Sequence, residues 1–76
     1  MPRITPINWK KFCKILEKAG CVYSHTEGDH VIYHKKGAIR ALVIPKIKDL
    51  PIFIILNNLK TAGISRTEYF KLLMSK

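Results

Sequence analysis

The sequence predicts an α+β domain with the element order α-β-β-β-α-α. Apolar residues recur at helical spacing near the start of the chain and again in its last third. Between these segments lie three short runs rich in β-branched and aromatic residues, separated by turns that contain glycine. Because short connections join neighbouring antiparallel strands, we expect a three-stranded antiparallel sheet with the helices packed on one face.

The first helix is expected from Trp9 to about Ala19, with Asn8 as its N-cap. Gly20 is expected to end this helix in the left-handed conformation, so that Cys21 packs back on it. The apolar stripe of the helix consists of Trp9, Phe12, Ile15, Leu16 and Ala19. The opposite face is basic and carries Lys10, Lys11, Lys14 and Lys18. This pattern predicts a helix with one face in the core and the other in solvent.

Three runs are expected to form the strands, namely Cys21 to Thr26, His30 to His34, and Ala38 to Ile44. Turns are expected at Glu27-Gly28-Asp29 and Lys35-Lys36-Gly37. Side chains alternate along a strand, so His30, Ile32 and His34 share one face of the sheet, and Val31 and Tyr33 share the other. By the same alternation His25 should point with Tyr23, which favours a packing or hydrogen-bonding role for it.

The last third of the chain predicts two helices. Proline is tolerated in a first helical turn and glycine often follows a last one, so the second helix is expected from Pro51 to Ala62. Ser65 and Glu68 have the spacing of a capping box, which predicts a short terminal helix.

Some apolar residues lie off the stripes that a single core is expected to bury. They are Leu42, Ile44, Phe53 and Ile54. Either the terminal helix packs on Phe53 and Ile54 of the second helix, or a partner protein covers them. Leu42 and Ile44 alternate onto one face of the sheet, which a partner protein is expected to cover if the helices cover the other face.

The length and composition fit one small domain spanning residues 1–76, with residues 1–7 as an extended arm. A two-domain enzyme with a deep cleft is excluded. No signal-peptide pattern or apolar run of membrane-spanning length occurs, so we expect a cytoplasmic protein with no membrane partner. Cys13 and Cys21 are expected to be reduced, partly buried thiols. No residue spacing predicts a metal site or a cofactor.

The chain is strongly basic, with 14 Lys and Arg against five Asp and Glu and a formal net charge of +9. This charge favours a polyanionic partner, with nucleic acid ahead of an anionic membrane or an acidic protein. The lysines of the first helix are candidates for phosphate contact. Further candidates near the strands are Lys35, Lys36, Arg40, Lys46 and Lys48.

Several motifs in their order along the chain resemble the HicA toxin family, small mRNA interferases of type II toxin-antitoxin systems. The motifs are the helix ending Leu16-Glu17-Lys18-Ala19-Gly20, the Gly-x-His-x-x-Tyr strand from Gly28 to Tyr33, the strand end Val43-Ile44-Pro45, and the segment Leu59 through Leu73. The resemblance implies a fold like that of double-stranded-RNA-binding domains, ribosome-independent cleavage of mRNA, and neutralisation by a HicB-type antitoxin. It also implies that His30 is the catalytic histidine.

RNA cleavage without a metal ion needs a base for the 2′-hydroxyl proton, an acid for the departing 5′-oxygen, and cations beside the phosphate. His30 can fill one of the two proton-transfer roles. The cations are expected from the hairpin that follows, through Lys35, Lys36 and Arg40. His34 shares the face of His30 and is either the second proton carrier or a polar surface residue.

Two other functions stay open. The family often carries Ser or Thr before the catalytic histidine, whereas this chain has Asp29, whose carboxylate would repel a phosphate. The chain could therefore be a non-catalytic RNA-binding module that uses the same basic surface. A DNA-binding or purely protein-binding domain is the third alternative.

Overall fold

The computed structural model describes residues 3–75 of the chain. Its elements are α1 (Trp9–Lys18), β1 (Val22–Glu27), β2 (His30–His34), β3 (Leu42–Pro45), α2 (Ile52–Ala62) and α3 (Arg66–Met74). This order confirms the predicted α+β fold. Of the predicted arm, Met1 and Pro2 lie outside the described residues, and the rest forms neither helix nor strand, although Ile4 is buried in the core. Within residues 3–75 no helix has the length and apolar character needed to cross a membrane.

The helix ends follow the predicted caps. Asn8 Oδ1 accepts a hydrogen bond from the Lys10 backbone N–H at 2.9 Å and begins α1. Gly20 has φ +96°, and the Cys21 N–H donates to the Leu16 carbonyl at 2.9 Å, which closes the helix with a Schellman turn. At α3 the Ser65 hydroxyl accepts from the Glu68 N–H. Local sequence thus sets where these helices begin and end.

The three strands form one antiparallel sheet in the order β1-β2-β3. The β1–β2 hairpin turns at Gly28, whose φ of +56° suits the first central position of a tight hairpin turn. The third strand is shorter than predicted, because Tyr33 pairs with Leu42 and β2 ends one residue later. The preceding residues 38–41 therefore have almost no strand to pair with, and they form an irregular loop.

A β-bulge in β1 corrects the prediction for His25. Tyr23 pairs with Tyr33, but the register then shifts, so that His25 pairs with Ile32. The extra residue, Ser24, moves His25 to the sheet face opposite Tyr23. His25 consequently shares a face with His30 and His34, contrary to the strict alternation assumed from sequence.

The helices cover one face of the sheet. This covered face consists of Val31, Tyr33, Leu42 and Ile44, which pack with residues of α1 and α2 in the core. Leu42 and Ile44 are fully buried, so the prediction that a partner protein covers them is wrong. The cause is strand register, which places both residues opposite the buried residues of β2. Ile54 packs partly against the core, whereas Phe53 stays 63% exposed.

Several buried side chains on the covered side of the sheet carry polar or ionisable groups. The Tyr33 hydroxyl donates to the Glu17 carboxylate of α1, and burial is the main cause that raises the Tyr33 pKa. The Tyr69 hydroxyl is buried without a hydrogen-bond partner in the described part of the chain, and burial raises its pKa. Cys13 and Cys21 are free and more deeply buried than predicted, and burial raises the pKa of both thiols.

Candidate active site

His30 begins β2 on the sheet face that the helices leave open, which we call the open face. It is exposed, and it pairs with Glu27 of β1 on one side and with Pro45 of β3 on the other. Directly opposed side chains in antiparallel strands lie about 5 Å apart at Cβ, so Glu27 is the cross-strand neighbour of His30, while its carboxylate is bonded to His25. The two-residue turn Gly28-Asp29 joins these positions and leaves the histidine accessible.

The other two histidines lie further along the open face. Both ring nitrogens of His25 have partners, with Glu27 Oε1 at 2.9 Å from Nε2 and Ser24 Oγ at 2.9 Å from Nδ1. The His30 ring makes no hydrogen bond to any residue between 3 and 75, so it is free to meet a substrate. In that same range no three His, Cys, Asp or Glu side chains are arranged to hold a metal ion.

A cationic cluster formed by Trp9, Lys10 and Lys46 lies at the end of the sheet where His30 begins its strand. The Lys46 N–H donates to the Asp29 carbonyl at 2.8 Å, which ties the residue after β3 to the residue before His30. The ammonium groups of Lys46 and Lys10 lie 5.7 and 5.8 Å from the centre of the Trp9 ring. Both distances fall within the range of cation–π attraction. Two positive charges therefore lie at the His30 end of the sheet.

The remaining lysines of α1 line a groove between α1 and α3. Lys11 and Lys14 are exposed there, above Leu72 and Leu73. Lys18 is held at the end of the groove, where its ammonium donates to the Ser75 carbonyl at 3.0 Å. Lys10 lines the same groove, which therefore continues the positive surface along α1.

The cations expected from the β2–β3 connection lie at the other end of the sheet. Four strand steps separate His30 from His34, which is about 13 Å at 3.3 Å per residue. The Lys35 ammonium donates to the Ala62 carbonyl at 2.9 Å, at the C-terminal end of α2. Lys36 and Arg40 are exposed in the loop that follows. These three side chains therefore do not adjoin His30, whereas Lys46 and Lys10 lie at the His30 end of the sheet.

Sequence reasoning missed two neighbours of the candidate site. Trp9 was expected in the core stripe, yet it is half-buried and lies beside both lysines of the cationic cluster. The partial exposure of Trp9 could not be predicted from sequence. It depends on how the loop after β3 folds back, where the Ile47 carbonyl accepts a hydrogen bond from the Trp9 N–H. Glu27 was foreseeable, since a two-residue hairpin turn sets the residues on either side of it opposite each other.

A family model described as the HicA toxin of bacterial toxin-antitoxin systems matches residues 9–64, about three quarters of the chain. The chain belongs to the HicA toxin family. The matched segment runs from the first residue of α1 past the end of α2, so it includes His30 and the whole cationic cluster. Among curated proteins no significant match was found. Membership in the HicA family makes this chain a toxin of a toxin-antitoxin pair, with an antitoxin as its partner.

Proposed function

We propose that this HicA-family toxin is a metal-independent endoribonuclease that cleaves mRNA, with His30 as the catalytic residue. The observation that carries the proposal is the exposed position of His30 on the open face, within the segment that matches the family. A fully buried histidine could not reach a substrate. The ring nitrogens of His30 make no hydrogen bond within residues 3–75, so they are available for proton transfer to or from a substrate.

In the proposed reaction the 2′-hydroxyl of a ribose attacks the adjacent phosphorus, and the bond to the 5′-oxygen breaks. His30 either accepts the 2′-hydroxyl proton or donates a proton to the departing 5′-oxygen. The other proton passes to water or from it. Lys46 and Lys10 stabilise the added negative charge on the phosphate, because fixed cations near a developing charge lower the barrier.

RNA binding extends beyond the reacting phosphate. Lys11 and Lys14 continue the positive surface along α1 and are proposed to hold neighbouring phosphates. Lys36 and Arg40 lie too far along the sheet to contact the cleaved phosphate. Lys35 is occupied by the Ala62 carbonyl, which favours a structural role for it.

A HicB-type antitoxin is the proposed inhibitor. The toxin carries a formal charge of +9, so an acidic antitoxin would gain from charge pairing during association. We propose that this partner keeps the toxin inactive in the cytoplasm until it is removed.

The second candidate function is RNA binding without cleavage. Asp29 favours this alternative, because its carboxylate stands next to His30 in sequence, where a phosphate would have to approach. The basic surface would serve either function equally well. Only a cleavage measurement separates them.

The test is RNA cleavage by purified protein in excess EDTA, followed on a labelled RNA and on a DNA of the same sequence. We expect RNA cleavage to persist in EDTA, DNA to stay intact, and His30→Ala to lower the cleavage rate at least about 100-fold. His34→Ala is the matched control, because it removes an exposed histidine from the same face of the same strand. Cleavage by His30→Ala at the rate of the unaltered protein would refute the catalytic assignment.

RNA binding with no cleavage under any condition would instead establish the second candidate function. Cleavage that stops in EDTA and returns with added Mg²⁺ would refute metal independence while leaving the nuclease assignment in place.

A further inference from the structure

The outer side of α2 exposes apolar side chains that the core does not use. Phe53 is 63% exposed and Leu56 41% exposed, and both lie on the side of α2 opposite the buried Ile55 and Leu59. Helical spacing places Lys60 on the same side, one turn beyond Leu56. A soluble domain rarely leaves a phenylalanine this exposed beside another large apolar residue unless something binds there.

The β2–β3 loop continues this surface. A cavity between the loop and α2 is lined by Ile39, Arg40, Asn57 and Lys60. Ile39 is fully exposed, and Arg40 and Lys60 lie on either side of the cavity. We call the group Ile39, Arg40, Phe53, Leu56 and Lys60 the α2 surface. It combines three exposed apolar side chains with two cations.

The two positive charges of the α2 surface indicate the kind of partner that it binds. Between Asp29 and Asp49 the sequence has no carboxylate, and none occurs between Asp49 and Glu68. A second copy of the chain would bring Arg40 and Lys60 against like charges while each copy carries +9, so self-association is opposed. RNA would pair with the cations but would leave Ile39 and Leu56 without apolar contacts. An acidic protein with an exposed apolar side chain satisfies both features.

We infer that the α2 surface is the docking site for the acidic antitoxin, which inserts an apolar side chain between Phe53, Leu56 and Ile39 and pairs carboxylates with Arg40 and Lys60. That the partner is the antitoxin rests on the proposed function. The exposed apolar and cationic side chains of the surface are independent of that proposal. This site includes part of the β2–β3 loop, which follows the end of β2 that is opposite His30. Antitoxin binding and RNA cleavage therefore depend on different residues of the toxin.

The experiment measures binding of the purified antitoxin encoded beside the toxin gene to His30→Ala toxin, by titration calorimetry. The His30→Ala background allows expression and makes the binding measurement independent of nuclease activity. Adding Phe53→Ser should weaken binding about 30-fold, as expected for loss of a central aromatic contact. Adding Lys60→Glu should weaken it on the order of tenfold.

Two matched controls lie on α3, outside the α2 surface. Met74→Ser removes an apolar side chain that is 81% exposed, and Lys71→Glu reverses an exposed charge. Both should bind antitoxin within about twofold of the parent, since surface changes away from an interface have small effects. Circular dichroism melts of every variant establish that the fold is retained, and Leu56→Ser replaces Phe53→Ser if the latter unfolds.

Unchanged antitoxin binding by both Phe53→Ser and Lys60→Glu would overturn the inference, as would a neighbouring gene product that does not bind the parent. With His30 restored, Phe53→Ser should cleave RNA at the unaltered rate yet escape inhibition by the antitoxin. Slower cleavage with normal antitoxin binding would assign the surface to RNA and also overturn the inference. Failure of the unaltered toxin to cleave RNA would refute the proposed nuclease activity, while the calorimetry would still decide the docking site.

Discussion

The two faces of the sheet are built from alternating residues of the same strands, yet they differ in composition and in exposure. On the covered face Val31, Tyr33, Leu42 and Ile44 are all less than 6% exposed. On the open face His30 and His34 are exposed, and Ile32 is buried between its strand neighbours His25 and Val43. The side chains of the covered face therefore stabilise the fold by burial against the helices. The exposed histidines of the open face remain available for chemistry.

This division explains how a domain of 76 residues can hold both a core and a reactive surface. A sheet with helices on both faces would bury His30, and burial disfavours a charged imidazole. Here the open face carries histidines at both ends of β2 and the apolar residues Ile32 and Val43 between them, and it faces solvent without a second helical layer. Substitutions at adjacent residues of one strand should consequently differ in their effect on the free energy of unfolding, with the larger loss on the covered face.

The largest expected effect is on the covered face. Leu42→Ala removes a fully buried side chain and should lower the free energy of unfolding by about 3 kcal/mol, from lost apolar contacts and the cavity left behind. Val43→Ala, the next residue on the open face, should cost less than about 1 kcal/mol. Urea unfolding followed by circular dichroism measures both. Equal losses would show that the open face is covered in solution.

The next effect concerns RNA affinity at the His30 end of the sheet. Replacing Lys10 and Lys46 together by Gln should weaken RNA binding on the order of tenfold and reduce the slope of log K against log salt by roughly 1.4, from two lost phosphate contacts. The control is the double replacement of Lys36 and Lys71, two exposed lysines outside the cationic cluster. Fluorescence anisotropy at several salt concentrations gives both quantities, and equal slopes for the two double variants would contradict the assignment.

An effect of similar size is expected from the hydroxyl of Tyr33 on the covered face. Tyr33→Phe removes the hydrogen bond to Glu17 and should lower the free energy of unfolding by about 1.5 kcal/mol. Burial first, and then this bond, raise the Tyr33 pKa in the folded state, so the folded protein holds the phenolic proton more tightly than the unfolded chain. Its stabilising contribution is complete below the unfolded pKa of about 10 and is lost as the pH rises above it.

Unfolding midpoints measured between pH 7 and about pH 11 test this prediction, because tyrosines titrate within that range. The unaltered protein should lose stability more steeply above pH 10 than Tyr33→Phe does. Parallel curves for the two proteins would show that another group causes the alkaline loss.

The smallest effect has the opposite sign and distinguishes Tyr69 of α3 from Tyr33 of β2, the two buried tyrosines. Tyr69 is 1% exposed, and its hydroxyl lacks a partner among residues 3–75, so the group loses water on folding without compensation. Tyr69→Phe should raise the free energy of unfolding by up to about 1 kcal/mol, since the ring contacts with Phe12 and Phe70 are kept. The same urea titration checks this result, and a loss of stability would mean that the hydroxyl has a partner in solution.

Local sequence determined the helix caps, the glycine turns and the display of His30. Asn8, Gly20 and Ser65 act through bonds between residues no more than five positions apart, so their effect follows from chain order alone. The face of His30 follows in the same way from its place directly after a two-residue turn. Short stretches of sequence are therefore enough to predict these features.

Long-range contacts decided the features that sequence reasoning missed. The bulge at Ser24 moved His25 to the open face, because the pairing of β1 with β2 fixes register residue by residue, while alternation assumes a regular strand. Trp9 and Lys46 lie 37 positions apart in the chain, and they meet only because the loop after β3 pairs with both the first hairpin and the start of α1. Contacts between segments so distant in sequence depend on packing the whole domain, which no local pattern encodes.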